Sequence, residues 1–536
     1  MKNMGTVALV GGLGCVTLAF TIQGLLPLMA MEGQNKNVVT IDGTVVELKP
    51  YTAEEARGRK VYLREGCWYC HSQYTRPVMG EDVRYGPVSQ SGEYAYDQPH
   101  LLGTRRIGPD LHREGGKRTN DWQLAHFFQP RNVVPQSIMP AFTWLFDGTE
   151  STWVATADEK GDMKAGRGVH PKPSAETEDL LKYVQRLGTD IGDWRQEQPV
   201  QMVGRPGGFT MTDPAVDMAR GKAVFEAKCA GCHGLKGDGN GEAAAFLDPK
   251  PRNFKKGVFK FRSTPAGVLP TDEDLYRTIT RGMSNGASMP SWASLSVADR
   301  WKVVDYIKTF SDRFSNEKDL KKIKPIPLPP TIERTPSTIA RGKMIYYVQQ
   351  CWQCHGVQGK GDGPATDAQG YHSSKDDWGF PIKVANFTNR HNYKAGYDDQ
   401  IIYRTFSTGI YGTPMPQYGN DQVGHDAIEN FANNMILMKE MYPDLSAFEG
   451  AEKDGKKLFT AAELAQLKAF TEGLPSKDQL LKTSEADLRE YLILNRYALV
   501  HYVQSLSGIG TDKPKSSGGA KASLDNDPFT RKFAGK

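Results

Sequence analysis

Residues 67–71 read Cys-Trp-Tyr-Cys-His, and the same Cys-x-x-Cys-His pattern returns at residues 229–233 and 351–355. On a helix, positions i, i+3 and i+4 share one face, so the two thiols and the imidazole of each copy can contact the same planar group. This pattern is the attachment signature of haem c. The two cysteines bond to the vinyl groups of the porphyrin, and the histidine that follows them ligates the iron.

A single Cys-x-x-Cys would also fit a zinc site or a thiol redox site. Three copies, each followed by histidine, use six of the seven cysteines and favour three covalently bound haem c groups. The predicted attachment residues are Cys67, Cys70, Cys229, Cys232, Cys351 and Cys354, and the predicted iron ligands are His71, His233 and His355.

Length and composition bound the remaining possibilities. The chain has 536 residues, enough for three or four domains, and 39% of them are apolar. The formal net charge of +5 is mild and does not indicate a nucleic-acid partner.

An uncharged run occupies residues 3–31 and is long enough to cross a bilayer as a helix. A cleaved signal peptide is the competing interpretation, but it would have a shorter apolar core and an Ala-x-Ala-like end. We expect an uncleaved single-pass anchor in the bacterial cytoplasmic membrane. Either interpretation places the rest of the chain on the outer, periplasmic side, where haem c is attached.

A repeat surrounds the three motifs. Each motif is preceded by a short segment with glycine four residues before an aromatic residue: Gly58 and Tyr62, Gly221 and Phe225, Gly342 and Tyr346. Each repeat closes with a second aromatic segment, at 180–184, 303–307 and 499–503. A glycine permits close approach of a second helix, so we expect two crossed helices in each repeat, similar to those of class I cytochromes c.

The predicted fold is mainly α, with one N-terminal transmembrane helix followed by three class I cytochrome c domains. A Pro/Gly-containing stretch near 196–212 is predicted to link the first two domains. The predicted boundaries are 1–49 for the anchor and a short connector, 50–200 for the first domain, 213–315 for the second, 316–336 for a proline-rich linker, 337–510 for the third with a charged, helical insertion at about 441–490, and 511–536 for a disordered tail.

Each domain also offers a second iron ligand. A Met-Pro step follows each motif, which predicts Met139, Met289 and Met415 as axial ligands, because a thioether closes the iron to substrate. Met79 and Met283 are weaker candidates. The carbonyl of Pro109 is predicted to accept the Nδ1–H of His71. The cations considered as partners of the haem propionates are Arg105, Arg106, Arg252 and Lys383.

The segment from Gly58 to Trp144 resembles the mono-haem, single-span subunit of cbb3-type (C-family) haem–copper oxidases. The stretches that carry the resemblance are Arg64-Glu65-Gly66-Cys67, Arg84-Tyr85-Gly86, Arg106-Ile107-Gly108-Pro109-Asp110-Leu111 and Asn132-Val133-Val134-Pro135. The chain departs from the family at Gln98-Pro99-His100, where histidine usually precedes proline.

Residues 213–510 resemble the tandem domains of di-haem cytochromes c. The markers are Lys236-Gly237-Asp238-Gly239 and Lys360-Gly361-Asp362-Gly363, besides the two Met-Pro steps. In this oxidase family the di-haem protein is usually a separate anchored subunit, whereas here both parts share one chain.

The resemblance implies a tri-haem electron-transfer subunit with no catalytic centre of its own. Its partners would be a soluble cytochrome c donor and a multi-span catalytic subunit that holds haem b and a haem–copper centre. The motif at Cys67 would hold the exit haem. The alternatives are the cytochrome c subunit of a nitric-oxide reductase, an independent enzyme such as a multi-haem peroxidase or dehydrogenase, and an anchored electron shuttle.

Overall fold

The chain folds into helices with a few two-stranded sheets, which confirms the predicted mainly α class. The computed structural model describes residues 3–30, 37–41, 44–78, 80–157, 163–191, 214–283, 288–418, 445–476, 479 and 482–508. The predicted linker near 196–212, the predicted tail at 511–536 and Met79 lie outside the described residues. So do residues 441–444, 477, 478, 480 and 481 of the predicted insertion.

The first helical run is the predicted membrane segment. Helix α1 (Met4–Phe20) continues through a π-helical turn (Thr21–Leu25) into α2 (Leu26–Ala30). Over Met4–Leu25, 22 residues, the mean hydropathy reaches 1.9, and none of that stretch is buried against the protein. An apolar helix of this length, with none of its residues buried by the described part of the chain, is suited to a lipid environment.

Two compact units divide the chain. The first comprises Met1–Gly115 with Glu178–Gln196, and the second comprises Gly116–Thr177 with Glu197–Lys536. The segment predicted as one domain, 50–200, therefore contributes to both units.

The first unit is built around a pair of helices. It contains the hairpin β1 (Val38–Ile41) and β2 (Thr44–Glu47), α3 (Ala53–Arg64), α4 (Glu81–Tyr85) and most of α7 (Ala175–Arg186). Helix α3 starts at a capping box, in which the Thr52 hydroxyl accepts the Glu55 amide and the Glu55 carboxylate accepts the Thr52 amide. A Cβ on Gly58 would lie 1.9 Å from the carbonyl oxygen of Asp179, so only glycine allows this approach of α7.

The second unit contains the remaining helices and hairpins. Its elements are α5 (Asn120–Phe128), α6 (Pro130–Val133), β3 (Phe146–Ala157), β4 (Met163–Pro173), α8 (Pro214–Lys228), α9 (Ala230–His233), α10 (Asp272–Arg281), α11 (Val297–Lys308), α12 (Glu317–Leu320), α13 (Pro336–Val348), α14 (Trp352–His355), β5 (Tyr371–Lys375), β6 (Pro381–Lys383), α15 (Asp399–Thr408), α16 (Ser446–Glu449), β7 (Glu452–Lys453), β8 (Lys456–Lys457), α17 (Ala461–Glu472) and α18 (Glu485–Ser505).

Crossed helix pairs recur at the predicted positions. In the second unit α8 packs on α11 and α13 packs on α18. The aromatic partners also match the prediction, because the ring centroids of three pairs lie 5.3–5.4 Å apart. The pairs are Tyr62 with Tyr183, Phe225 with Tyr306, and Tyr346 with Tyr502.

Residues 116–177 pack on the second and third cytochrome c regions. Ala125 and Val133 join an apolar cluster with Ala243 and Leu247. The β3–β4 hairpin contacts the third region, where the amide of Ala165 donates to the carbonyl of Trp378 at 2.7 Å. Trp378 is itself buried against Val258, so the hairpin, the second region and the third region share one apolar contact.

Candidate haem sites

The first motif lies at the end of α3 in the first unit. Cys67 begins a short 3-10 turn (Cys67–Tyr69), and the Nδ1 atom of His71 lies 2.8 Å from the carbonyl oxygen of Pro109, the predicted contact. A Cβ on Gly108 would lie 2.1 Å from Cε1 of His71, so glycine is required for the loop to pack against the imidazole. Burial lowers the pKa of His71, although its bond to Pro109 opposes the shift.

The second motif forms α9, directly after α8. Nδ1 of His233 lies 3.0 Å from the carbonyl oxygen of Arg252, and the ring of Phe254 stacks on the imidazole with centroids 4.6 Å apart. Burial lowers the pKa of His233 to about 4, against the opposing effect of the bond to Arg252. The imidazole is therefore neutral at physiological pH, the form that ligates iron.

The third motif, in α14, repeats this geometry. Nδ1 of His355 lies 3.0 Å from the carbonyl oxygen of Ala385, and Phe387 stacks on the imidazole with centroids 4.2 Å apart. Burial lowers the pKa of His355 to about 4 as well, although the Ala385 bond acts in the opposite direction.

One consequence is common to the three motifs. A carbonyl oxygen can only accept, so each Nδ1 carries the proton and each Nε2 keeps its lone pair free. This second-shell bond fixes both the tautomer and the orientation of a histidine that ligates a metal. All three histidines are therefore prepared to ligate through Nε2.

Several motif cysteines lie in apolar surroundings that disfavour the thiolate. Burial raises the pKa of Cys229, Cys232 and Cys351 to about 12. A reactive redox cysteine needs the opposite shift. Within the described ranges, no three His, Cys, Asp or Glu side chains converge as a zinc site requires. These observations favour haem attachment over the zinc and redox interpretations.

The residues that line a cavity beside the second motif show whether this site suits a haem. Its lining includes the attachment pair Cys229 and Cys232 together with His233 and Met289. Most of the remaining lining is aromatic or aliphatic, including Trp122, Val133, Leu247, Phe254, Phe259 and Trp292. A soft donor set of two thiols, an imidazole and a thioether within an apolar cavity fits haem c.

The predicted methionine ligands occupy similar loops. The amide of Met139 donates to the Ser137 hydroxyl at 3.2 Å, and that of Met415 donates to the Thr413 hydroxyl at 3.3 Å. Met139 belongs to the second unit, whereas Cys67, Cys70 and His71 belong to the first. Met415 and Cys351 pack against the same apolar cluster. The assignment of these methionines stays a prediction.

The loops before Met289 and Met415 also correspond. Helix α10 ends before Gly282 and α15 ends before Gly409, with φ of 68° and 64°. A Cβ at Gly282 would lie 2.5 Å from the backbone of Pro290, and one at Gly409 would lie 2.7 Å from that of Pro416. Each Met-Pro step is thus held against the end of a helix. Met283, the weaker candidate, lines the same cavity as Met289.

The cations considered for the propionates have different surroundings. Arg106 is bound to the Glu81 carboxylate, to the Ser72 hydroxyl at 2.9 Å and to the Tyr74 carbonyl at 2.7 Å. Arg105 and Lys383 are exposed. Arg252 alone of the four lines the cavity beside the second motif.

Sequence reasoning did not identify the carbonyls of Arg252 and Ala385 or the stacked rings of Phe254 and Phe387. A signal was present, because an Asn-Phe pair follows directly after each carbonyl residue, at 253–254 and 386–387. Trp122, Val133 and Lys394 were also missed as cavity residues, because they are remote in sequence from the second motif.

The helix pairs and the three motifs define a multi-domain c-type cytochrome. Sequence profiles of three families match successive parts of the chain. The mono-haem subunit (FixO) of cytochrome c oxidase matches residues 6–170, subunit III of cbb3-type cytochrome c oxidase matches 216–307, and cytochrome c matches 339–434. The chain is a cbb3-type cytochrome c subunit with multiple cytochrome c regions; it binds haem c covalently, functions in electron transport and is anchored in the membrane.

A search of curated proteins returns no match to this chain. Among solved structures, a chain of the reducing HAO-like protein complex of Kuenenia stuttgartiensis is 31% identical to it, with a TM-score of 0.37. That alignment covers 54% of this chain and 95% of the Kuenenia chain.

Proposed function

We propose that this chain is a tri-haem electron-transfer subunit that passes electrons from a soluble cytochrome c to the catalytic subunit of a cbb3-type oxidase. The observation that carries the proposal is the threefold recurrence of a Cys-x-x-Cys-His motif whose histidine Nδ1 is bound to a backbone carbonyl. Three copies of one ligand geometry on one chain support serial electron carriers.

The residues have separate tasks. The thiols of each motif attach the porphyrin, the histidine supplies one axial ligand, and Met139, Met289 or Met415 supplies the other. Haem c, when bound, supplies one-electron transfer between ferric and ferrous iron. A histidine and a methionine at each haem iron would leave no open position for a substrate, so we assign oxygen reduction to the catalytic subunit.

The direction of transfer follows from the position of the anchor. The first motif is the nearest of the three in sequence to the membrane helix, and it lies in the segment that matches the mono-haem oxidase subunit. We therefore assign the exit haem to Cys67 and Cys70. The helix crosses the membrane once, with the cytochrome c regions on the periplasmic side.

Oxygen consumption by the purified membrane complex, supplied with reduced cytochrome c, tests this function. Replacement of Cys67 with serine is expected to abolish turnover while haem b and copper stay bound. Cys15→Ser, which alters the cysteine outside the motifs, is the matched control and is expected to leave turnover unchanged. Consumption of nitric oxide faster than oxygen would instead support the nitric-oxide reductase alternative.

A further inference from the structure

Among the described residues, the charged side chains that line the cavity beside the second motif are all cationic. Its lining includes five cationic side chains, and none of the described residues that line it is acidic. The five are Lys228, Lys250, Arg252, Lys260 and Lys394. Several cations around an apolar cavity repel one another, and a bound anion would offset this repulsion.

Two of the five have partners in the structure, and a third lies at the attachment edge. The ammonium group of Lys250 donates to the carbonyls of Ala244 and Ala245, at 2.9 and 3.0 Å. The guanidinium group of Arg252 lies over the ring of Trp378, 4.3 Å from its centroid. Lys228 directly precedes Cys229, at the edge where the thiols attach the porphyrin.

Lys260 and Lys394 differ from these three. Across the residues that the structure describes, neither side chain makes a hydrogen bond or an ion pair. Burial and the nearby charges of Arg252 and Lys394 lower the pKa of Lys260 to about 7, against the opposing effect of the Asp376 and Asp248 carboxylates. Burial also lowers the pKa of Lys394, which Asp248 opposes. The Asp248 and Asp376 carboxylates act on these ammonium groups only from outside hydrogen-bond distance. Two half-buried ammonium groups without a directly bound anion are unfavourable, so an anionic partner would stabilise this arrangement.

A haem brings that partner. Its two propionate carboxylates lie on the porphyrin edge opposite the thioether bonds, and Lys260 and Lys394 lie in the same cavity as Cys229 and Cys232. We infer that Lys260 and Lys394 bind the propionates of the haem that is attached to Cys229 and Cys232. This inference rests on the proposed attachment of a haem at the second motif.

Lys260 and Lys394 come from different cytochrome c regions. Lys260 belongs to the second cytochrome c region, but Lys394 lies between β6 and α15 of the third. The third region therefore supplies a propionate partner to the haem of the second. A cation near a haem favours the reduced form, because ferric haem carries one more positive charge than ferrous haem.

Redox titration of the full-length chain with its haems attached tests the pair. Lys260→Met and Lys394→Met are each expected to lower the midpoint potential of one component. At a fixed applied potential, the ratio of reduced to oxidised haem in that component is expected to fall by a factor on the order of ten. This is the effect of removing one charge roughly 10 Å from the iron at an effective dielectric constant of about 20. The exposed Lys468 of α17 provides the control, Lys468→Met, which is expected to change nothing.

Two further variants identify which haem changes its midpoint potential and whether the lysine charge causes the change. Met289→His, which exchanges the proposed ligand of the second haem, is expected to move the same component as Lys394→Met. Lys394→Arg, which keeps the charge, is expected to leave the potential at its original value. If Lys394→Met does not fold, the same comparison is made between Lys394→Gln and Lys394→Arg.

Three results would overturn the inference: no difference between the lysine variants and Lys468→Met, a shift in the component that Met415→His moves, or an equal shift for Lys394→Arg and Lys394→Met. Failure of the proposed haem attachment gives a separate result. In that case the unaltered chain carries no haem on the peptide that contains Cys229 and Cys232.

Discussion

Gly221 of α8 lies so close to α11 that a Cβ at this position would be 2.3 Å from the carbonyl oxygen of Lys302. The equivalent contacts join Gly58 to Asp179 and Gly342 to Ala498, at 1.9 Å in both cases. No side chain fits at that distance, so the crossing of the two helices depends on glycine. The same contact recurs in three repeats, which indicates that the crossed helix pair positions each motif.

Replacement of Gly221 with alanine is expected to destabilise the second region by about 1–3 kcal/mol, because the added methyl group forces the helices apart. Helix propensity alone predicts the opposite sign, since alanine is favoured over glycine within a helix by about 1 kcal/mol. Thermal unfolding distinguishes the two effects. Ala223→Ser, at an exposed position of the same helix, is the control, and a Gly221→Ala chain that is more stable than the original would disprove the packing argument.

Met289→Ala is expected to open one coordination position of the second haem and to lower its potential while the haem stays attached. Loss of a thioether ligand changes low-spin to high-spin iron, which absorption and magnetic-resonance spectra report. Met283→Ala is the control, because Met283 lines the same cavity. If the spectrum changes in Met283→Ala and not in Met289→Ala, the ligand assignment must be exchanged.

Cys229→Ser is expected to weaken or abolish covalent attachment of the second haem only. The reason is that each motif is held by its own helix pair, so the first and third sites keep their geometry. Haem-stained peptides after proteolysis give the measurement, with the Cys15→Ser chain as reference. Loss of all three haems would show that the regions do not fold independently.

Glu93 is expected to make the first unit sensitive to acid. Burial alone would raise its pKa, but hydrogen bonds from His112 and Arg113 outweigh this effect and lower the pKa from 4.5 to about 2. A pKa that is depressed on folding contributes stability that is complete above the unfolded value and is lost as the pH falls towards 2. The difference is worth about 3 kcal/mol at neutral pH.

The unfolding midpoint of the first unit, measured between pH 6 and pH 2, checks this expectation. Glu93→Gln is expected to be less stable than the original chain at pH 6 and to lose less stability on acidification. Glu54→Gln, which alters an exposed glutamate of the same unit, is expected to keep the original pH dependence. Equal acid sensitivity of the Glu93→Gln chain and the original would contradict the assigned role.

The sequence was most informative where spacing is local. The motifs, the paired glycine and aromatic positions and the membrane helix all depend on neighbours three to five residues apart or on continuous composition. Each predicted aromatic partner is present in the structure, because a residue four positions after a close-contact glycine must face the same helix. Pro109 was also predicted, from the Gly-Pro-Asp-Leu segment.

Among the contacts across loops of variable length, the sequence predicted the Pro109 carbonyl but not the carbonyls of Arg252 and Ala385. The histidine and the residue that accepts its Nδ1–H are 38, 19 and 30 positions apart in the three sites. No fixed spacing could therefore identify Arg252 or Ala385. The division of 50–200 between two units and the contribution of Lys394 to the second site depend on tertiary packing that has no local signature.

The intact mass of the chain, isolated from the purified complex and denatured, tests the central claim most directly. Covalently bound haem survives denaturation, so each attached group adds one haem mass to the polypeptide. The account predicts a mass that exceeds the polypeptide by three haems. A polypeptide that carries two haems, one or none would contradict it.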